Sequence, residues 1–317
     1  MKQNIIIITM GLSRVVKPIT AAHNVVGIIE CSSRKNQQSN NKLLFKATEK
    51  IYSFIKKEIQ TLKSFALTEN IPYYFMDNGS DQALEKWAKD INPDVIVVYS
   101  MSQLLKKNIF NIPKYGTINL HPALLPSYRG PFPDFWMYYN CEKEGGVTIH
   151  YIDEGEDTGD IIYQEKYPIP VGMKSPDMLN LAVGKIGTSL LLKALDNIGN
   201  LPKQKQLQQS PILRARNIRQ DEHKNIIDWD EWDIERIWHI LRGTESWLNA
   251  LEQPNGLCTG QRWTIENYEN CRMDSNYQVS KIYTSYGKKF VACQGGKIFV
   301  SINFSLKTLI ISLLNMR

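Results

Sequence analysis

Asn119 and His121 close the run Thr117-Ile118-Asn119-Leu120-His121. In a strand, alternation sends two side chains spaced in this way to one face. A carboxamide can hold a developing oxyanion with its N–H groups, and an imidazole titrating near neutrality can manage a proton. That pair suits acyl transfer. Further along, Asp153-Glu154-Gly155-Glu156-Asp157-Thr158-Gly159-Asp160 packs acidic and glycine residues between two apolar stretches. Its composition suits a loop that encloses a ligand. Thr158-Gly159 breaks the alternation that an EF-hand calcium loop needs, so no metal is expected.

The surrounding pattern supplies elements to position these groups. Asn4–Thr9, residues 25–29, 73–75, 94–99 and 117–120 read as strands. Helical spacing fills residues 42–68, 81–89 and 176–195. Buried apolar strands alternating with helices predict an α/β class with a Rossmann-like, mostly parallel sheet covered on both faces. Substrates of such sheets sit outside the carboxyl ends of the strands. Met10-Gly11-Leu12-Ser13-Arg14 holds one glycine, so no dinucleotide fingerprint follows the first strand. Residues 199–209 are polar and linker-like, and beyond Pro211 the pattern changes. A Trp-rich helical stretch at 231–242 precedes short strands at 261–268, 278–284, 289–293 and 297–302, which predicts a smaller C-terminal β-rich, OB-like domain. The boundary is expected near residue 205, giving domains 1–205 and 206–317.

Composition bounds the class. The 317 residues are 43% hydrophobic and 22% charged, an ordinary globular mixture. No apolar run approaches the ~18 residues that span a bilayer. Four isoleucines at 5–8 are too short an apolar core for a signal peptide, and a buried first strand is expected there instead. Five cysteines are scattered without a CxxC pair, which argues against a disulfide framework or structural zinc and fits a reducing cytoplasm. The net charge of +6 is mild. From Leu207 onward, 14 Lys/Arg stand against 12 Asp/Glu, and Lys56-Lys57 and Lys106-Lys107 read as solvated helix faces. This charge does not demand a nucleic acid or membrane partner.

Read together, Asn119-x-His121-Pro122-x-Leu124-Leu125-Pro126-x-Tyr128-Arg129-Gly130 and Asp153-x-Gly155-x-Asp157-Thr158-Gly159 resemble the folate-dependent formyltransferase family. That family includes glycinamide ribonucleotide transformylase, methionyl-tRNA formyltransferase and the amino-sugar N-formyltransferases. Clear resemblance covers residues 94–164; it is looser back to the first strand and reaches 227–229 and 242–243. It implies a formyltransferase fold and a catalytic domain over residues 1–205. N10-formyltetrahydrofolate is the implied formyl donor, and a primary amine the acceptor. The implied catalytic set is Asn119, His121 and Asp157. Asn119 and His121 would stabilise the tetrahedral oxyanion, and His121, or a water held by Asp157, would take the proton. Met101, Gln103 and Leu104, with Asp153, Glu154 and Glu156, match segments that the family wraps around the pterin. Tyr128 and Arg129 are the implied substrate contacts, and Leu125-Pro126 matches a common cis peptide. His150 reads as a strand residue with a structural hydrogen bond.

Members acting on methionyl-tRNA resemble this chain in having a second, β-rich domain. They usually read Arg-Gly-Ala-Ala-Pro where Arg129-Gly130-Pro131-Phe132-Pro133 stands here. Residues 131–139 are aromatic and read mainly as a core-facing helix. Residues 32–41, where tRNA members tend to carry a basic loop, are amide-rich and only modestly positive. The expected acceptor is therefore a small anionic molecule, a nucleotide-linked amino sugar of the kind used in surface-polysaccharide (lipopolysaccharide) biosynthesis. Methionyl-tRNA is the alternative. A homodimer is in keeping with the family's sugar members. A non-catalytic β-rich binding module, with Trp229, Trp232, Trp238 and Trp247 as a base-stacking platform, is the contrasting class. The helical spacing of residues 231–242 favours core packing instead.

Overall fold

The computed structural model describes residues 3–32, 60–77, 82–306 and 308–309. Residues 42–59 of the helix expected over 42–68, the Lys56-Lys57 pair and the amide-rich loop after Ser32 lie outside the described residues. Strands β1 (Asn4–Thr9), β2 (Asn24–Cys31), β3 (Tyr73–Met76), β4 (Val95–Tyr99), β5 (Thr117–His121), β6 (Glu144–Tyr151) and β7 (Ile161–Pro168) form one sheet. Their order is β3-β2-β1-β4-β5-β6-β7. The strands from β3 across to β5 pair in parallel, and β6 and β7 add on antiparallel.

Both faces of this sheet are covered, and β1 shows why it is apolar without alternation. Ile5 and Ile7 enter one core cluster while Ile6 and Ile8 enter the other. Helices α1 (Val16–Ala22), α2 (Leu62–Thr68) and α6 (Ser175–Asp196) supply the first cluster. Helix α3 (Gln82–Ile91) and the short α4 (Lys107–Phe110) supply the second. Helix α5 (Pro133–Tyr139) follows the turn after β5.

Over its 22 residues α6 is long and apolar enough, by length and composition, to cross a membrane. The sequence pattern conceals this because polar residues interrupt every short apolar run. Met178, Val183, Leu191 and Leu195 on this helix pack into the first core cluster, which is the ordinary use of an apolar helix against a sheet.

After α6 the chain runs back across the first unit. Gln204 bridges to Ile161, the Ala215 N–H donates to the Arg129 carbonyl at 2.8 Å, and Ala215 lies in the first core cluster. A separate core cluster begins at Ile227. Helix α7 (Ile234–Thr244), capped by Asp233, packs there on β8 (Arg262–Asn270), β9 (Ile282–Ser285), β10 (Lys288–Cys293) and β11 (Gly296–Asn303). These strands form an antiparallel sheet in the order β8-β11-β10-β9. The β-rich second unit is thus a four-stranded sheet, with no β8–β9 closure among the described residues.

The two units meet through rings. Phe132 and Phe135 sit 4.8 and 5.4 Å, centroid to centroid, from Trp247, and Tyr139 sits 5.3 Å from Trp232. Trp229, Trp232, Trp238 and Trp247 are all partly buried against the second core, so these indoles fill a packing role.

Candidate active site

A cleft of about 290 Å³ opens at the carboxyl ends of β4 and β5. It is lined by Asn119, His121 and Asp157, and also by Met101, Gln103, Leu104, Asp153, Glu154 and Glu156. The three groups expected to do chemistry and the six expected to hold a pterin thus share one cavity, although they come from three separate segments.

Asn119 and His121 project together because β5 alternates. Ile118 and Leu120 between and beside them enter the core. Opposite Asn119 in the antiparallel β5–β6 ladder stands His150. The Asn119 Nδ2 lies 3.0 Å from His150 Nε2, and His150 Nδ1 lies 2.7 Å from the Tyr151 carbonyl. That carbonyl requires a proton on Nδ1, which leaves Nε2 to accept from the amide. One N–H of Asn119 is thereby held, and its second N–H is left for an oxygen in the cleft.

His121 is buried, at 4% exposure. Its Nε2–H donates to the Tyr128 carbonyl at 2.9 Å, which fixes the tautomer and presents the Nδ1 lone pair toward Asp157 Oδ2, 3.5 Å away. Burial lowers the His121 pKa below its ordinary value, partly countered by the Asp157 charge. Burial alone would raise Asp157. A proton on the neighbouring His121 or His150 ring, together with the Gly130 N–H, outweighs it and holds the carboxyl well below the usual carboxylate range. A proton arriving at Nδ1 creates an imidazolium bonded to Tyr128 on one side and facing Asp157 on the other.

Asp157 reaches this place through an unusual backbone. Its φ is 54°, and its Oδ2 accepts the Gly130 N–H at 2.9 Å while Oδ1 lies 3.6 Å from His150 Nε2. Gly159 closes the turn so tightly that a Cβ there would sit 1.9 Å from the Tyr151 carbonyl oxygen. Asp153 stabilises the loop internally, accepting from Thr158 Oγ1 at 2.6 Å and from the Gly155 N–H at 3.0 Å. Glu154 pairs with Lys107 at 2.8 Å and Glu156 with Arg214.

Two expectations change. Tyr128 and Arg129 do not line the cleft. The Tyr128 hydroxyl donates to Glu142 at 2.5 Å, and the residue serves the site through its carbonyl on His121. The buried Arg129 guanidinium is spent on Gln206 and on the Leu207 and Gln208 carbonyls. Both side chains are satisfied before any substrate arrives. Conversely, Asp134 on α5 lines the cleft, and burial pushes its pKa up to about 6. The sequence pattern hid it inside an aromatic run. In the sequence His150 reads as structural; its signal is its place opposite Asn119, which needs the strand register.

The Leu104 side chain lines the cleft yet is 56% exposed, and Met101, Leu105 and Ile152 line the cleft with it. With the loop of residues 153–157 on another wall, this apolar patch beside polar backbone fits a flat heteroaromatic ring.

A sequence-family profile described as formyl transferase matches residues 14–195. The chain is 33% identical over 206 residues to methionyl-tRNA formyltransferase of Clostridioides difficile (strain 630), covering 63% of this chain and 64% of that protein. It therefore spans less than two thirds of the length of that curated relative. Among solved structures, the fold is similar to that of WlaRD, a sugar 3N-formyl transferase crystallised in the presence of dTDP and 5-N-formyl-THF. That match has a TM-score of 0.60 at 19% identity and covers 96% of this chain and 100% of the other. It is also similar to HypX from Aquifex aeolicus in complex with tetrahydrofolic acid, with a TM-score of 0.58 at 12% identity over 95% of this chain and 44% of that one.

Proposed function

The chain belongs to the formyl transferase family, and from that premise we propose that it moves a formyl group from N10-formyltetrahydrofolate to the primary amine of a nucleotide-linked amino sugar. The observation that carries the transfer is the meeting of Asn119, His121 and Asp157 in one cleft beside the apolar Met101–Leu104 wall. The donor brings a carbonyl activated toward amines. Asn119 gives its free N–H to the formyl oxygen as charge develops there. His121 receives the proton of the attacking nitrogen at Nδ1, and Asp157 stabilises the resulting cation. The tetrahedral centre then collapses with cleavage of the bond between the formyl carbon and the donor's N10, and the proton held on His121 passes to that leaving nitrogen, which restores the neutral ring. Burial of His121 keeps that nitrogen unprotonated and ready before the amine arrives.

The sugar reading of the acceptor is supported by the partly buried tryptophans packed on the core of the second unit and by its near-balanced charge, neither of which suits a polyanion platform. End-to-end similarity of fold to a sugar formyltransferase is in keeping with it. One observation favours methionyl-tRNA as the second reading, namely the 33% identity to enzymes of that name. A parallel assay separates the two. With formyltetrahydrofolate supplied, a panel of nucleotide-linked amino sugars is screened for a mass gain of one formyl group, beside charged initiator tRNA at several salt concentrations. Gain on a sugar with inert tRNA is expected; formylation of the tRNA alone would replace the sugar reading.

A further inference from the structure

Asp157 is the one catalytic group that no regular element holds. Its left-handed backbone, φ 54°, is a conformation that a non-glycine residue adopts at a cost. Something must over-determine it. The nearest cause is a residue from the segment joining the two units. The Gln206 Nε2 donates to the Asp157 carbonyl at 3.0 Å and to the Gly159 carbonyl at 2.6 Å. Its Oε1 accepts from Arg129 Nη2 at 2.8 Å and from Arg129 Nε at 3.3 Å. Both N–H groups of one carboxamide thus grip the backbone on either side of Thr158, and its oxygen is anchored in turn.

The anchor is firm. Arg129 is 8% exposed, and its guanidinium also bonds the Leu207 and Gln208 carbonyls at 2.7 and 3.0 Å. Arg129 adjoins Gly130, whose N–H holds the Asp157 carboxylate at 2.9 Å. Backbone and side chain of Asp157 are therefore fixed from the same corner, where the turn after β5 and the joining segment meet.

We propose that Gln206 is a positioning residue, its Arg129-anchored carboxamide locking the Asp157 backbone in the conformation that aims the catalytic carboxylate at His121. The assignment rests on the formyl-transfer reading of the site. It gives the joining segment, which reads in the sequence as a polar linker, a direct part in the chemistry.

The test uses the full chain and an amine that the parent formylates. Gln206→Glu keeps the side chain's size and its bond to Arg129 but removes both N–H donors. Its kcat falls about 10²-fold, the effect of misplacing a catalytic group by about an ångström, while the KM for the formyl donor and the melting temperature stay near parental. The pH limb belonging to His121 moves to lower pH, because a loosened Asp157 no longer offsets the effect of burial on that imidazole. Arg129→Lys loosens the same grip from the other end, shifts the limb the same way by less, and carries the test if Gln206→Glu does not fold. Gln208→Ala, which alters only a side chain beyond the grip, behaves as parent. Parental kcat, or a reduced kcat with an unmoved pH limb, in the folded variants overturns the assignment. If His121→Ala also retains turnover, it is the catalytic reading itself that has failed.

Discussion

The two halves of the candidate active site are held by different physics. Asn119 and His121 ride on β5, where ladder hydrogen bonds and a buried apolar partner on the opposite face set their direction. Asp157 rides on a loop, and side chains or N–H groups from distant segments, Gln206 and Gly130 among them, hold it in a left-handed turn. Strand-borne groups depend on the sheet and tolerate changes around them. A loop-borne group depends on each grip separately, so it can be unfixed without unfolding anything.

Four substitutions break or sharpen this contrast. Asn119→Ala removes the oxyanion donor, and a loss of about 10²–10³ in kcat is expected, with the sheet and melting temperature intact. Asp157→Asn keeps the shape and removes the charge. Because the Tyr128 carbonyl fixes the His121 tautomer, this loss is smaller, on the order of 10², well short of the ~10⁴ seen where the carboxylate itself sets the tautomer. Steady-state kinetics at saturating donor distinguishes the two.

Away from the chemistry, Trp247→Ala removes the ring between Phe132 and Phe135 and should cost about 3 kcal/mol by denaturant unfolding, with formyl-donor binding retained. Arg214→Ala breaks the exposed pair with Glu156 and should cost roughly 0.2–1 kcal/mol, less at high salt.

A pH experiment probes the cleft wall. The Asp134 carboxyl titrates near 6 when folded, against an ordinary value of 3.8. The folded state thus holds that proton more tightly, and its contribution to stability is present below pH 3.8 and lost as pH rises through about 6. Asp134→Asn should flatten the melting temperature across that window; an unchanged slope would assign the slope to other groups.

Much of this was legible in the sequence because it was written in side chains. Continuous β-branched runs located β1 and β4 within a residue, since strands buried on both faces tolerate little else. The Asn-x-His spacing and the acidic turn pointed to Asn119, His121 and Asp157, which meet in one cleft. The rest is carried by backbone atoms and register, which no residue type announces. The Tyr128 carbonyl orients His121, the Asp157 carbonyl is the point that Gln206 grips, and His150 meets Asn119 only once β5 and β6 pair. An arginine beside the turn reads in the sequence as an anion contact, whereas the structure buries Arg129 and sets its guanidinium against Gln206 and the Leu207 and Gln208 carbonyls.

The most direct measurement compares the parent and His121→Ala for binding of the formyl donor and for formyl transfer to an accepted amine, in the same preparation. Donor should bind both proteins alike, and product should form with the parent while falling about 10²–10⁴-fold in the variant. Parental turnover by His121→Ala would contradict the assignment of proton transfer to that imidazole and, with it, the account of the cleft.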